Sequence, residues 1–154
     1  MIASWIAKRM IRSAFDTLSQ HDFDVESLVA RKTEDSAYGY PSDFGVGEIV
    51  KGKQASVEWL NRWKKEVPKR KFVVKSICFS AWPLSPRNVY MVDWTLTETT
   101  KEGQEFKYDG ASVFAMRNSK MVFGADYISF KGLPKLSTLV KPTGKKEAQR
   151  RQTK

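Results

Sequence analysis

The clearest candidate for chemistry is one carboxylate, Asp126, in the apolar stretch Ser112–Phe130 (SVFAMRNSKMVFGADYISF). The pattern predicts two adjacent strands, Ser112–Met116 and Met121–Phe130, joined by a turn at Asn118–Ser119. A carboxylate level with apolar neighbours on one strand face loses hydration, unless it faces a wet pocket or a polar partner. Asp126 is therefore either a charge on a solvated rim or a working group in a pocket.

A second acid, Asp93, lies within another predicted strand, Asn88–Thr99. Alternation places it in one set with Val89, Met91, Thr95 and Thr97. The opposite set is more apolar and consists of Tyr90, Val92, Trp94 and Leu96. We expect the acid-bearing sets of both strands to face the helices, so that Asp93 and Asp126 lie on the same side of the sheet.

The sets without an acid then form the outer face of the sheet. On the last strand this set is Met121, Phe123, Ala125 and Tyr127. A large apolar surface away from the helices usually contacts another subunit. We therefore predict a homodimer that associates through the outer sheet face.

The elements that position these residues are predicted to be three helices followed by a meander of long strands. Apolar residues at helical spacing predict a first helix over about residues 3–20, and Asp24 can cap a short second helix. A third helix is predicted for about Lys53–Glu66. The extended segments are Ser36–Tyr40, a glycine-bearing loop after Pro41, and long strands over Lys71–Trp82, Asn88–Thr99, Glu105–Arg117 and Met121–Phe130. This order is typical of an α+β fold with the helices on the concave face of a bent antiparallel sheet.

Length and charge divide the chain into one domain and a tail. A chain of 154 residues has room for one substantial core, which we place in residues 1–132. The formal net charge is +10, and the last 14 residues hold six bases and one acid, a balance of +5. Residues 133–154 are therefore predicted to be a disordered basic tail. A solubilising role is favoured, and binding of RNA or anionic lipid by the tail is the weaker alternative.

Two further features bear on location. The apolar runs are shorter than the roughly 20 residues that a membrane span needs, and the single cysteine, Cys78, predicts a small core residue in a reducing, cytoplasmic compartment. The start, MIASWIAKRMIRSAF, is amphipathic and has no acid before Asp16. It resembles a transit peptide in composition, but its apolar spacing continues into the next segment and favours a structural first helix.

Four stretches carry a resemblance to a known family. They are IRSAFDTLSQHDFD, EDSAYGYP, KGKQASVEWLNRW and NVYMVDWTLTETTKEGQEFKYDGASVFAMRNSKMVFGADYISF. Over about residues 6–132 the chain resembles the NTF2-like superfamily, most nearly its SnoaL-like and limonene epoxide hydrolase-like branch. The resemblance implies a cystatin-like cone, in which three N-terminal helices pack on the concave face of a bent, mostly antiparallel sheet.

The resemblance carries over only some of the functional residues of that branch. The epoxide hydrolase tyrosine matches Tyr38, and its last-strand aspartate matches Asp126. Its asparagine, arginine and water-activating aspartate fall on Tyr40, Asp93 and Thr95, so this constellation is broken at three of its five positions. The ketosteroid isomerase positions fall on Ala14, Tyr40 and Ser112, which also lack the required groups.

The resemblance also implies one pocket for a small, mostly apolar molecule. Its lining would be Tyr38, Tyr40, Trp63, Asp93, Thr95, Tyr108, Ser112, Asp126 and Ile128. Two carboxylates in a low-dielectric pocket separate into a general acid with a raised pKa and a base, and Tyr38 would help to position the substrate. Cofactor-independent hydrolysis, isomerisation or cyclisation would fit this arrangement. One histidine and one cysteine do not predict a zinc site.

A different class of function stays open at this point. A dimeric scaffold of this fold also serves as a non-catalytic ligand-binding or protein- or RNA-interaction module. In that case the aromatic residues Trp82, Tyr90, Trp94 and Tyr127 would form a stacking or protein-binding surface.

Overall fold

The computed structural model describes residues 2–42, 45–82 and 85–128. In chain order the elements are α1 (Ile2–Leu18), α2 (Val25–Ala30), β1 (Lys32–Ser42), β2 (Gly45–Lys51), α3 (Lys53–Glu66), β3 (Lys69–Phe79), β4 (Arg87–Thr99), β5 (Glu105–Arg117) and β6 (Lys120–Ile128). The α+β class and the predicted helices are confirmed. The basic tail at 133–154 lies outside the described residues, so the division at residue 132 stays a prediction.

The helices begin and end where the local sequence allows. The Asp24 carboxylate accepts a hydrogen bond from the backbone N–H of Ser27 at 3.2 Å and caps α2, as predicted. α3 starts after Gly52, whose φ of +80° is in the left-handed region that favours glycine. None of the helices in these residues is long and apolar enough to span a bilayer.

The described strands form one sheet in the order β2-β1-β6-β5-β4-β3. β1 runs parallel to β6, and the other neighbours are antiparallel. The prediction of a loop for the glycine-bearing segment after Pro41 is wrong in part. There β2 pairs with β1, with Tyr38 opposite Val50. Its glycines weaken the local strand signal, and the backbone partner on β1 decides the conformation.

The facing of β4 differs from the prediction. Val92, Trp94 and Leu96 are almost completely buried and form a core cluster with Phe15 of α1. The set predicted for the outer face therefore faces the helices, and the set containing Asp93 faces outward. The prediction is wrong because the core under α1 needs the larger apolar side chains of β4, whatever the position of its acid.

The outer face is the sheet surface turned away from the helices. On β6 it carries Phe123 and Tyr127, which are exposed as the alternation predicted. On β3 and β4 its exposed apolar side chains are Val73, Cys78, Val89 and Met91. Cys78 is thus a surface residue opposite Met91, and its assignment to the core is wrong.

Candidate functional site

Asp126 projects from β6 onto the helix-covered, concave face of the sheet. The Tyr38 hydroxyl donates to its Oδ1 at 2.7 Å, and the Ser112 hydroxyl donates to the same oxygen at 2.5 Å. The described residues supply no donor to Oδ2. Asp126 and Tyr38 are both half-buried, so this second oxygen is the one from which a bound molecule could exchange a proton.

The direction of these hydrogen bonds is set by Trp94. Its indole Nε1–H, which can only donate, gives a hydrogen bond to Ser112 Oγ at 2.8 Å. The Ser112 proton is therefore free to point at Asp126. Trp94 and Ser112 are both 2% exposed, so the two hydrogen bonds from Trp94 to Ser112 and from Ser112 to Asp126 are shielded from water.

Two glycines make room for the rings of this site. A Cβ at Gly110 would overlap the six-membered ring of Trp94, and a Cβ at Gly124 would overlap the ring of Tyr38. Gly124 lies opposite Tyr38 on β1, and Gly110 lies opposite Trp94 on β4. The rings can therefore lie flat across neighbouring strands because those strands carry no side chain there.

Burial is the main cause of the unusual pKa values in the site. It raises the pKa of Asp126 from 3.8 to about 6, while hydrogen bonds from Ser112 and Tyr38 and the charge of Lys32 oppose that shift. Burial, followed by the charge of Asp126, raises the pKa of Tyr38 well above its ordinary value. Tyr38 therefore remains a proton donor at any physiological pH.

Lys32 supplies positive charge close to Asp126. Its side chain is buried, its Nζ donates to Ser56 Oγ at 3.0 Å, and Nζ lies 5.1 Å from the centre of the Tyr38 ring. Burial lowers the pKa of Lys32 from 10.5 to about 8, and the charge of Asp126 opposes this change. The lysine and the aspartate thus interact through the site without a direct ion pair among the described residues.

A second buried carboxylate, Glu98, lies further along the same face. Its Oε1 accepts from Trp63 Nε1 at 2.9 Å and its Oε2 accepts from the Tyr108 hydroxyl at 2.5 Å. Burial raises the pKa of Glu98, whereas both hydrogen bonds and the charge of Arg70 lower it. The charge of Glu98 also raises the pKa of Asp126, as the smallest of the influences on that carboxyl.

Arg70 anchors this second acid to the helices. Its guanidinium donates to the carbonyls of Leu18 at 3.1 Å and Gln20 at 2.7 Å, and it lies 4.8 Å from the Trp63 ring. The guanidinium also donates to the carbonyl of Val67, after α3. One buried cation therefore joins the ends of α1 and α3 to the Glu98 side of the site.

Aromatic rings pack between the sheet and α3. The Tyr40 ring is stacked on Trp59 with centroids 3.3 Å apart, and Trp59 lies 5.9 Å from Trp63. Tyr38 and Phe114 are in ring contact at 6.1 Å. Polar groups converge on Asp126 and Glu98 while the surroundings stay apolar, which is the usual character of a small-molecule site.

The structure brings together most of the predicted residues but separates two of them. Tyr38, Tyr40, Trp63, Tyr108, Ser112 and Ile128 share the helix-facing side with Asp126. Asp93 and Thr95 lie on the outer face. There Asp93 is 4.0 Å from Lys75, and the Thr95 hydroxyl donates to Asp109 at 2.6 Å. The expectation that Asp93 lies on the same side of the sheet as Asp126 is wrong, because the β4 alternation has the opposite facing.

Sequence reasoning missed Glu98, Trp94, Arg70 and Lys32 as members of the site. Glu98 could have been predicted, because it alternates in phase with Trp94 and Leu96. Any assignment of that set to the inner face of the sheet includes Glu98. Lys32 carried no signal, because an isolated lysine at the start of a strand usually faces solvent. The described residues contain no group of three or more His, Cys, Asp or Glu side chains placed to hold a metal ion.

Comparison with solved structures identifies the fold. An NTF2-like protein of unknown function from Burkholderia pseudomallei K96243 is similar with a TM-score of 0.64 and 16% identity, over 80% of this chain and 90% of that chain. A SnoaL-like protein from Jannaschia sp. CCS1 gives a TM-score of 0.63 and 11% identity, over 80% and 85%. A protein of ketosteroid isomerase-like fold from Catenulispora acidiphila DSM 44928, in complex with trimethylamine, gives 0.63 and 14%, over 80% and 92%.

These similarities establish that the chain has the NTF2-like fold. No protein-family model and no curated protein sequence matches the chain. At such low identity the likeness concerns the fold alone, and one fold hosts many activities. The function therefore depends on the side chains of the site.

Proposed function

We propose that the chain binds a small, mostly apolar molecule against the concave face of the sheet and transfers a proton to or from it through Asp126. The observation that carries this proposal is the asymmetric carboxylate. Two hydroxyls hold Oδ1, the described residues leave Oδ2 without a donor, and the pKa is raised to about 6. A carboxylate with a pKa near the working pH is an effective general base, and its protonated form is an effective general acid.

The chemistry follows from the positions of the protons. Near neutral pH Asp126 is mostly ionised, and Oδ2 takes a proton from the bound molecule. Tyr38 and Ser112 keep the carboxylate in one orientation during this step. The protonated acid then returns the proton to a different atom of the same molecule, which is an isomerisation or a cyclisation without a cofactor.

Glu98 takes the place that Asp93 was expected to fill. Its burial and its hydrogen bonds from Trp63 and Tyr108 make it the second acid of this face. Hydrolysis by the epoxide hydrolase arrangement is less well supported. The position of the water-activating group, Thr95, is turned to the outer face, so a water that it held would lie on the wrong side of the sheet.

The test separates binding from turnover. A thermal-shift screen of small hydrophobic compounds with an acidic C–H or an internal nucleophile identifies ligands, since a molecule that binds the native state raises its stability. For a compound that is converted, Asp126→Asn should lower kcat by at least about 100-fold, the usual contribution of a general base. Its Kd should change only a few-fold, because the amide has the shape of the carboxylate.

Asp93→Asn is the matched control, since it makes the same change on the outer face of the same sheet. It should leave turnover unaltered. Unchanged turnover in Asp126→Asn would disprove the catalytic role. The aromatic lining formed by Tyr40, Trp59 and Trp63 would then support the second candidate function, a binding module without catalysis.

We also propose that two copies associate through the outer face. On this face Val73, Met91, Phe123 and Tyr127 are each between 42% and 51% exposed, and they form an apolar surface that a partner would cover.

The exposed thiol of Cys78 on this face supports a reducing, cytoplasmic location, where free thiols persist.

A further inference from the structure

Helix α1 is apolar on two sides. One side, with Ala7 and Phe15, is buried against the rest of the fold. The other side carries four exposed apolar residues, Ile2, Trp5, Ile6 and Met10. Their spacing of three and four residues forms a continuous stripe along the helix, which the described part of the chain leaves uncovered.

Positive charge borders this stripe. Lys8, Arg9 and Arg12 lie together with Trp5, Ser13 and Asp16 along one open side of the helix. None of the three bases forms an ion pair with another described residue. The Arg9 guanidinium lies 5.3 Å from the centre of the Trp5 ring, so charge and apolar surface are directly adjacent.

We propose that the exposed side of α1 lies in the headgroup region of an anionic lipid bilayer. Ile2, Ile6 and Met10 would enter the boundary between headgroups and acyl chains, and Trp5 would sit at the interface, where its amphipathic ring is favoured. Lys8, Arg9 and Arg12 would contact lipid phosphates. The helix remains packed on its own domain throughout, because the buried side that holds Phe15 is the opposite one.

Charge argues against a second copy of the chain as the occupant. In a two-fold contact through α1, each patch meets the same patch, so three bases and one acid, Asp16, would face a patch of the same net positive charge. Like charges in such a contact are repulsive. An anionic surface complements both features at once, since it offers negative charge beside an apolar layer.

The test is cosedimentation of the full chain with vesicles of phosphatidylcholine, with and without phosphatidylglycerol. We expect binding to the vesicles that contain phosphatidylglycerol, and a loss of binding as salt is raised. Arg9→Gln with Arg12→Gln should weaken binding by about fivefold for each base removed. Ile6→Glu with Met10→Glu should abolish it, and quenching by brominated lipid should fall in Trp5→Phe.

Ile49→Glu is the matched control, because it places an acid on an exposed apolar site of β2, at the edge of the sheet away from α1, and its lipid binding should be unchanged. Circular dichroism verifies that each variant is folded. If the paired glutamate variant fails to fold, the paired glutamine variant decides the question.

Three results would overturn the proposal. The first is full binding by both α1 variants. The second is binding that is lost only when Lys145, Lys146, Arg150 and Arg151 of the tail are changed to glutamine. The third is lipid-independent self-association that Met10→Glu removes, which would make a second copy the occupant of the stripe.

Discussion

Asp126 is held in its position at a cost in stability. Desolvation is the largest influence on its pKa, and the two hydroxyl donors and Lys32 offset it only in part. Native proteins commonly accept such a cost where a polar group has a function, and a substitution that removes the group is then stabilising. The residue scale thus offers a test that needs no substrate.

We predict that Asp126→Asn stabilises the protein at pH 8 by up to about 3 kcal/mol, the equivalent of a pKa raised from 3.8 to about 6. The native state of the wild type binds the Asp126 proton more tightly than the unfolded chain does, so protonation stabilises the native state. This stabilisation is fully present below pH 3.8 and is lost as the pH rises through about 6. The measurement is urea unfolding of both proteins from pH 3.5 to pH 8.

The gain should shrink towards zero at the acidic end of this series, where both side chains are neutral. Asp109→Asn provides the comparison, since its carboxylate is ion-paired with Lys75 on the exposed outer face. A gain of the same size at every pH would show that Asp126 is not buried as a charge.

Lys32 should control the proton affinity of Asp126. Its charge lowers the pKa of that carboxyl, so Lys32→Met is predicted to raise the pKa of Asp126 above about 6. Titration of the Asp126 carboxyl carbon by NMR measures this directly, and any pH–rate profile governed by Asp126 should move to higher pH as well.

Lys75→Met is a suitable control for that experiment. It removes a lysine that pairs with Asp109 on the other side of the sheet, so the Asp126 titration should not move. If the pKa of Asp126 shifted equally in Lys32→Met and Lys75→Met, it would respond to the net charge of the protein and not to Lys32 in particular.

At the scale of elements, β5 and β6 position the site because each has a glycine, without a side chain, where an aromatic ring lies. Gly110 and Gly124 allow Trp94 and Tyr38 to lie against the sheet, and those two residues orient Ser112 and Asp126. The hairpin itself closes through Asn118 and Ser119, both with positive φ, as in the tight turns that match strand twist.

We predict that Gly110→Ala destabilises the protein by about 1–3 kcal/mol, since the new methyl group overlaps a buried ring that cannot move without breaking its hydrogen bond to Ser112. Thermal or urea unfolding measures the loss. In a Trp94→Leu background most of this penalty should disappear, and the double-mutant cycle isolates the overlap. If the destabilising effects of Gly110→Ala and Trp94→Leu were additive, the proposed overlap of the methyl group with the Trp94 ring would be disproved.

At the scale of the whole molecule, the sheet has one covered side and one exposed side. The covered side holds the half-buried Asp126 and the buried Glu98, and the outer face holds exposed apolar residues around the Lys75–Asp109 ion pair. The proposed dimer would bury the outer face and leave both α1 and the concave site accessible. These three surfaces can therefore act independently.

We predict that Met91→Glu dissociates the dimer, with association weakened by at least about 100-fold, because it places an unpaired charge in an apolar contact. Light scattering coupled to size exclusion gives the mass. Met10→Glu adds the same charge to an exposed apolar site on α1 and should leave the mass unchanged. A wild-type chain that is monomeric at high concentration would refute the outer-face contact.

The amino-acid pattern was sufficient for the elements and for most of the fold. Helical spacing around Phe15, the cap at Asp24 and the glycine before Lys53 act within a few residues, so they predict the helices from the sequence alone. Strand alternation likewise placed Phe123 and Tyr127 opposite Asp126 on β6. The resemblance to NTF2-like proteins then indicated the cone, which the TM-scores confirm.

Tertiary packing alone decided which side of β4 faces inward. Alternation defines two sets of side chains, but a period of two is equally consistent with either facing. The need to bury Trp94 and Leu96 against α1 resolved this, turned Asp93 outward and brought Glu98 inward. The position of Asp126 on the helix-facing side could therefore be predicted from the sequence, whereas Glu98, the second acid on that side, could be identified only once the strands had been assembled into a sheet under the helices.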